Sequence, residues 1–324
     1  MMEPQQLRAV SLRISVTDRC QLRCVYCMPL EGVPKLPRGG ILSFEEIVRF
    51  VRAMQAGFDL LKVHITGGEP LVRHGIAKLV AGLAALRIPD ITLTTNGQLL
   101  ARSALDLKHA GLQRVTISLD SIDNKTYRTI TRGGDLQRTL AGIKAAVQAG
   151  LAPVKINVVV MRGLNDNEVT DIAHFGLAQG CNVRFLELMP IGCARAQFRN
   201  RFVSSAEVCR RLESSFRLTP MDHDTRRSSR NFLAVGRQGV SGTIGLISSE
   251  SHPFCAGCTR LRLTSTGQLI ACLAHDESMA TREFLQTDTP QAASALQELA
   301  IRQVDGKCLR TVFDTARAMA SVGG

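Results

Sequence analysis

Residues 12–27 read Leu12-Arg13-Ile14-Ser15-Val16-Thr17-Asp18-Arg19-Cys20-Gln21-Leu22-Arg23-Cys24-Val25-Tyr26-Cys27, a short β-branched run that breaks into a polar loop carrying three cysteines. The run has the composition of a strand, and its unit recurs along the chain. Further strands are predicted at Lys62–Thr66, Ile91–Thr95, Val115–Leu119, Val154–Val160 and Val183–Leu188, with amphipathic helices between them. Ser43-Phe44-Glu45-Glu46 has the form of a capping box, and Gly57 closes the helix that follows. Asn165 with Glu168 repeats the device, and Gly180 ends that helix. Ile76, Leu79, Val80, Leu83 and Leu86 form a stripe at helical spacing. Strands alternating with helices imply an α/β fold: a parallel sheet of about six strands curved into an incomplete TIM-like βα barrel. We assign residues 1–190 to this barrel.

Polar or Gly-rich signals fall at the carboxyl ends of the predicted strands: Thr17-Asp18, Gly67-Gly68-Glu69, Thr94-Thr95-Asn96, Ser118-Leu119-Asp120 and Met189-Pro190. Each is an ordinary turn former taken alone. Together they mark one shared site at the edge where such barrels place their chemistry. After Pro190 the character changes. Residues 195–237 hold ten Arg against four acidic residues, and hydrophobic periodicity weakens. A helix over Ser205–Phe216 and strands near Asn231–Val235, Thr243–Ile247 and Arg260–Thr264 suggest a C-terminal module, residues 191–324, packed on the barrel's open side.

The formal net charge is +12, carried by 32 Arg and 8 Lys. Codon bias in a GC-rich genome and an anionic partner explain that excess equally well, since guanidinium groups grip phosphate bidentately. No run of 18 apolar residues is present, so no transmembrane helix is expected. Met1 to Val10 is too polar and too short for a secretory signal, which points to the cytoplasm. Ten cysteines in that compartment are not a disulfide framework. Cys181, Cys193, Cys209 and Cys308 stand alone as packing residues; the other six fall in two tight groups.

In the first group, Cys20-x3-Cys24-x2-Cys27, three thiolates in one loop can hold three corners of a four-iron cluster and leave one iron open. A zinc knob would want a fourth protein ligand, and no His follows in this loop. The second group, Cys255-x2-Cys258-x13-Cys272, again has three cysteines. His252 and His275 flank it, so structural zinc stays open there on spacing alone. Arg260 and Arg262 alternate as on a strand, which turns both guanidinium groups to one face in the manner of an anion clamp.

The first spacing, with Tyr26 before the last cysteine and Gly67-Gly68-Glu69-Pro70 downstream, resembles the radical S-adenosylmethionine (SAM) superfamily. There the methionine amino and carboxylate groups chelate the open iron and the GGEP motif receives the amino group; a carboxylate at Glu69 suits an ammonium. Within that superfamily the chain resembles the GTP 3′,8-cyclase family of molybdenum cofactor biosynthesis nearly end to end. The likeness is carried by Leu12–Cys20, Lys155-Ile156-Asn157-Val158-Val159, Arg184-Phe185-Leu186-Glu187-Leu188-Met189, Phe254–Arg262 and the terminal Gly323-Gly324.

The resemblance implies a second [4Fe-4S] cluster on Cys255, Cys258 and Cys272 that binds the guanine ring. It implies SAM contacts at Tyr26, Gly67, Gly68, Glu69, Ser118 and Met189. It places GTP against Arg13, His64, Thr94, Lys155, Arg184, Arg260, Leu261 and Arg262, and threads the Gly323-Gly324 tail into the site. The implied reaction makes (8S)-3′,8-cyclo-7,8-dihydroguanosine 5′-triphosphate: a 5′-deoxyadenosyl radical takes the ribose C3′ hydrogen, and C3′ attacks guanine C8. The implied partners are a reductant such as flavodoxin or ferredoxin and a downstream cyclic pyranopterin monophosphate synthase, with no nucleic acid and no membrane; a homodimer is left open. The family carries Arg where His64 stands, and a phosphate-facing imidazole is expected to titrate upward from its usual 6.5. Ser229-Arg230-Asn231-Phe232 and Cys258-Thr259 are two further departures, neither at a cysteine. The competing readings are a radical SAM peptide maturase or RNA-modifying enzyme with an auxiliary cluster, and a non-enzymatic iron–sulfur carrier.

Overall fold

In the computed structural model, the described residues are 7–34, 36–237, 239–305 and Met319; the Gly323-Gly324 tail lies outside them. Strands and helices alternate as β1 (Ala9–Ser15), α1 (Phe44–Gly57), β2 (Asp59–Thr66), α2 (Ile76–Ala85), β3 (Ile91–Thr95), α3 (Ala104–His109), β4 (Arg114–Ser118), α4 (Asn124–Thr131), α5 (Leu136–Gln148), β5 (Lys155–Val160), α6 (Val169–Ala178) and β6 (Asn182–Glu187). The chain continues through α7 (Phe198–Arg201), α8 (Ser205–Glu213), β7 (Phe216–Pro220), β8 (Arg230–Gly236), β9 (Ser241–Ile247), β10 (Arg260–Leu263), β11 (Gln268–Ile270), β12 (Met279–Ala280) and α9 (Pro290–Asp305).

The strands form one sheet in the order β12-β11-β10-β1-β2-β3-β4-β5-β6-β9-β8-β7. The run from β10 to β9 is parallel throughout, and the outer strands on both sides are antiparallel. The six predicted strands are its centre. The C-terminal segment does more than cover the open side: it lengthens the same sheet at both edges, with β10 beside β1 and β9 beside β6. Local sequence hides this, because edge pairing joins residues far apart in the chain, Ser11 with Arg260 on one side and Val183 with Ile244 on the other.

Alternation along each strand divides the sheet's two faces. Leu12, Ile14, Val63, Ile65, Leu93, Ile117, Ile156 and Phe185 are buried in one continuous apolar core on the helical side. The opposite face carries Arg13, Lys62, His64, Thr92, Thr116, Lys155 and Arg184 at the intervening positions. Barrel interiors are ordinarily filled by branched aliphatic residues; this one is lined with cations and hydroxyls. The sheet curls around that lining. Arg13 on β1 feels the charge of Arg184 on β6, yet five strand spacings on a flat sheet would separate them by about 24 Å.

Helix ends follow the sequence in part. Ser43 Oγ accepts from Glu46 N at 3.1 Å while Glu46 returns a bond to Ser43 N, a full capping box on α1. The pair Asn165 and Glu168 does not cap α6. Asn165 donates to the carbonyls of Asp120 and Val159, and Glu168 accepts from Ser121 Oγ and Ile122 N. Both side chains tie the loops after β4 and β5 together, a tertiary use that outbids the local one. The helix predicted over Ser205–Phe216 stops at Glu213, and Phe216 opens β7.

Candidate active site

The loop after β1 folds back on the end of α4: Arg23 N and Val25 N donate to the carbonyls of Thr131 and Ile130 at 3.1 and 2.9 Å. Cys27 N donates to Cys24 O at 2.9 Å, closing a tight turn that brings the thiols into mutual range. Cys20 Sγ accepts from Leu22 N at 3.4 Å and from Asn96 Nδ2 at 3.7 Å. Burial pushes the Cys20 thiol up to about 11. Burial, then the neighbouring Cys27, Asp120 and Cys20, push Cys24 up as well. Three adjacent thiolates in such surroundings need a cation to hold them ionised. The donor set therefore fits a metal group.

Gly68 N donates to Thr17 O at 2.7 Å and Glu69 N to Arg19 O at 2.8 Å, so the turn after β2 clamps the start of the cysteine loop. A Cβ on Gly68 would stand 2.4 Å from the Arg19 carbonyl oxygen, and one on Gly67 2.7 Å from that of Thr17. This close approach of two backbones explains both glycines. Glu69 follows in the same turn. Its carboxylate is buried and accepts from Leu71 N, Thr95 Oγ1 and Asn96 N at 3.1, 2.7 and 2.7 Å. Burial raises it to about 7. It braces the turn and, through Asn96, reaches Cys20.

Tyr26 donates its hydroxyl to Asp120 Oδ2 at 2.8 Å, and Asp120 Oδ1 accepts from Val159 N at 2.8 Å. Burial lifts Asp120 to about 6. Asp120 thus pins the cysteine loop to the ends of β4 and β5, a role visible in the sequence only as one polar strand end. Ser118 ends β4 on the lumen face opposite Asn157. Met189 follows β6 on the same rim.

Beneath that rim the register sets polar residues side by side around the lumen: Arg262 against Arg13, Arg13 against His64, His64 against Thr92, Thr116 against Lys155, and Asn157 against Arg184. Arg184 is steadied by Asn157 Oδ1 at 2.9 Å and Thr116 Oγ1 at 3.2 Å. Asp90 is the acid set against this group, where it pairs with Arg114 and lies 3.9 Å from Lys62. Burial lowers Arg184 and Arg262 to about 10, with Arg114 and Arg260 adding repulsion respectively. Burial followed by repulsion from Arg184 takes Lys155 down to about 7. Burial also brings Lys62 down to about 8. Cations crowded in a screened lumen are relieved by a polyanion.

Lys62, Arg114 and Asn157 were missed as site residues, although Lys62 and Asn157 stand two positions from His64 and Lys155 and share their faces. Leu261 corrects the other way. Its side chain is fully buried on the helical side, so only its backbone faces the lumen. His64 lies in the lumen, but its Nε2 and Nδ1 are each 2.6 Å from a hydroxyl, Thr94 Oγ1 and Thr92 Oγ1. Burial, then Arg13 and Lys62, hold its pKa well below 6.5, not above it. It is a neutral bridge between threonines.

The second triad sits at the opposite end. Ser11 pairs with Arg260 in parallel register, so Cys255 and Cys258 lie before the amino-terminal edge of the strands. β11 runs back antiparallel and delivers Cys272 to the same end. Seven strand residues, roughly 20 Å, separate the two ends. Cys258 Sγ accepts from Arg260 Nε at 3.4 Å, and the Arg260 guanidinium stacks 4.7 Å above the Phe254 ring. Burial, then Cys272 and Cys258, raise the Cys255 thiol. Gly257 passes under the 222–228 loop, where a Cβ would meet Thr225 O at 2.2 Å. Among the described residues no three His, Cys, Asp or Glu side chains gather at the spacing of one ion. A four-iron cluster offers its corners at separate irons and does not require that.

Residues 14–176 match the Radical SAM superfamily, and residues 181–311 match Molybdenum Cofactor Synthesis C. A GTP 3′,8-cyclase of Geobacter sulfurreducens is 46% identical over 321 residues, 97% of this chain and 96% of that protein. Its counterpart in Listeria monocytogenes is 44% identical, with 91% and 87% covered. Among solved structures, Streptococcus suis SuiB bound to precursor peptide SuiA aligns with a TM-score of 0.62 at 17% identity, covering 90% of this chain and 67% of that one. That likeness carries the fold alone.

Proposed function

The chain belongs to the GTP 3′,8-cyclase family of the radical SAM superfamily, and we propose on that premise that its cationic lumen holds GTP between two clusters while the ribose C3′ is joined to guanine C8. The product is (8S)-3′,8-cyclo-7,8-dihydroguanosine 5′-triphosphate, the first intermediate of molybdenum cofactor synthesis. The observation that carries the reading is the row of cations between two cysteine triads at opposite ends of one sheet. It accounts for an anionic substrate, and for one triad at the rim and one at the far end.

Cys20, Cys24 and Cys27 would hold the first [4Fe-4S] cluster with SAM, and Cys255, Cys258 and Cys272 the second. When bound, the first supplies hydrogen-atom abstraction from C3′ and the second an open iron for the purine. The chain's own residues position and shield. Arg13, Lys155, Arg184 and Arg262 neutralise the triphosphate as paired charge-assisted contacts. Arg260, stacked on Phe254, braces Cys258. Thr94, oriented by neutral His64, offers a hydroxyl. Tyr26, the backbone at Gly67 and Gly68, Ser118 and Met189 ring the SAM pocket, with Glu69 and Asp120 fixing its walls. Held in this way, C3′ stays aligned and water stays out.

The two-part division at residue 190 is supported by the family matches, which change over between residues 176 and 181. A flavodoxin- or ferredoxin-type reductant upstream and cyclic pyranopterin monophosphate synthase downstream complete the reading, in the cytoplasm. No described helix is long and apolar enough to cross a membrane. The test is anaerobic reconstitution, then GTP, SAM and dithionite, with products read by mass spectrometry. A cyclised product at the mass of GTP supports the reading; SAM cleavage with unchanged GTP overturns it.

A further inference from the structure

Three segments meet around the outside of the first cysteine loop. Residues 19–32 form the loop itself. Residues 123–133 reach it through the Thr131 and Ile130 carbonyls and through Arg132 Nη1, which donates to Met28 O at 3.2 Å. Residues 192–201 reach it through Cys193 Sγ and Gln197 Nε2, both on Val25 O. Together these segments hold eight Lys or Arg against two acids, Glu31 and Asp123, which is half of the chain's net charge of +12. Arg19, Arg128, Arg132, Arg195 and Arg199 are exposed. An arginine excess from codon bias alone would spread over the surface. Here eight of the 40 Lys and Arg, and half of the net charge, fall on the three short segments around the cysteine loop.

We propose that this face docks an acidic one-electron donor protein, a flavodoxin or ferredoxin with a carboxylate-rich surface around its redox centre. The proposal rests on the reading above and adds where the reductant binds. In the docked pair one electron leaves the donor's centre, which is oxidised by one unit. It enters the group held by Cys20, Cys24 and Cys27, which is reduced by one; no bond is made or broken in that step. Like-charge faces would repel, so the field selects acidic carriers and speeds their encounter.

The test compares wild type with Arg128→Glu/Arg199→Glu, both exposed, and with Arg217→Glu/Arg237→Glu at the far sheet edge as a control. Binding of an acidic flavodoxin to the reconstituted protein is followed by fluorescence anisotropy across ionic strength. Reduction of the first cluster is followed by electron paramagnetic resonance, with either reduced flavodoxin or dithionite. The expected result is flavodoxin affinity falling at least tenfold from 0.05 to 0.5 M salt, because exposed charges are screened within about 10 Å at 0.1 M. The Arg128/Arg199 variant is expected to lose at least tenfold in affinity and in flavodoxin-driven reduction, with dithionite reduction and product formation intact and the control like wild type. Equal binding by both variants, or equal loss in both, overturns the docking face. Loss of product with dithionite in wild type would instead strike the function itself, so the two failures are distinguishable.

Discussion

Lys155 is expected to be charged in a GTP complex but about half-discharged in the free protein near neutrality, and that difference is measurable. Burial, then Arg184, Arg114 and Lys62, bring its ammonium down to about 7, with Asp90 opposing. The sign follows from its being a buried base among cations: the free chain gives up the proton, and a bound polyanion takes it back. At pH 6 about nine-tenths of Lys155 is already charged; at pH 8 about one-tenth is. Recharging it therefore weakens GTP binding by about tenfold between those values, or about 1.4 kcal/mol. A Lys155→Arg variant keeps its charge throughout. The titrations of Lys62 and of GTP itself are common to both proteins and cancel in the ratio. Anaerobic calorimetry in two buffers of different ionisation enthalpy gives both affinity and protons taken up. The variant's advantage over wild type is expected to grow about tenfold from pH 6 to 8, with wild type at pH 8 taking up close to one more proton. A ratio constant within twofold refutes the argument.

Iron and sulfide analysis is expected to give about eight irons in wild type and about four in Cys24→Ala or Cys258→Ala, with the second variant still cleaving SAM; zinc at either triad would contradict this. Removing the guanidinium group in Arg262→Ala is expected to weaken GTP binding by at least tenfold, from about 1.5–3 kcal/mol for a charge-assisted contact, and to leave SAM affinity unchanged. Because His64 is held neutral, His64→Gln is expected to follow the wild-type pH dependence of GTP binding from pH 6 to 8.5; a wild-type slope steeper by tenfold would mean that the ring titrates after all. Gly68→Ala places a methyl against the Arg19 carbonyl, and its expected result is loss of the first cluster on reconstitution with the second retained, read by iron content.

The six central strands and the burial of Leu12, Ile14, Val63 and Ile65 were legible because period-two patterning is a local property of the chain. The cysteine triads and the Gly67-Gly68 turn were legible for a similar reason: each is one short segment with demanding chemistry. Register was less so. Lys62 and Asn157 share the lumen with His64 and Lys155, yet a lysine or asparagine on a strand does not reveal what stands opposite. The opposite placement of the two triads also follows from β10 pairing parallel with β1, a contact between residues some 250 positions apart.

By itself, then, the sequence determined the α/β pattern, the thiol groups and the cationic inventory, because each depends on neighbours within a few residues. Tertiary structure alone decided what those groups are. It gave Glu69 a buried setting and three hydrogen-bond donors. It turned Asn165 and Glu168 from caps into loop ties, and His64 from a phosphate cation into a neutral link between two threonines. The physical reason is the same in each case: protonation and hydrogen-bond partners are set by desolvation and by charges on other strands, and neither is a property of the local chain.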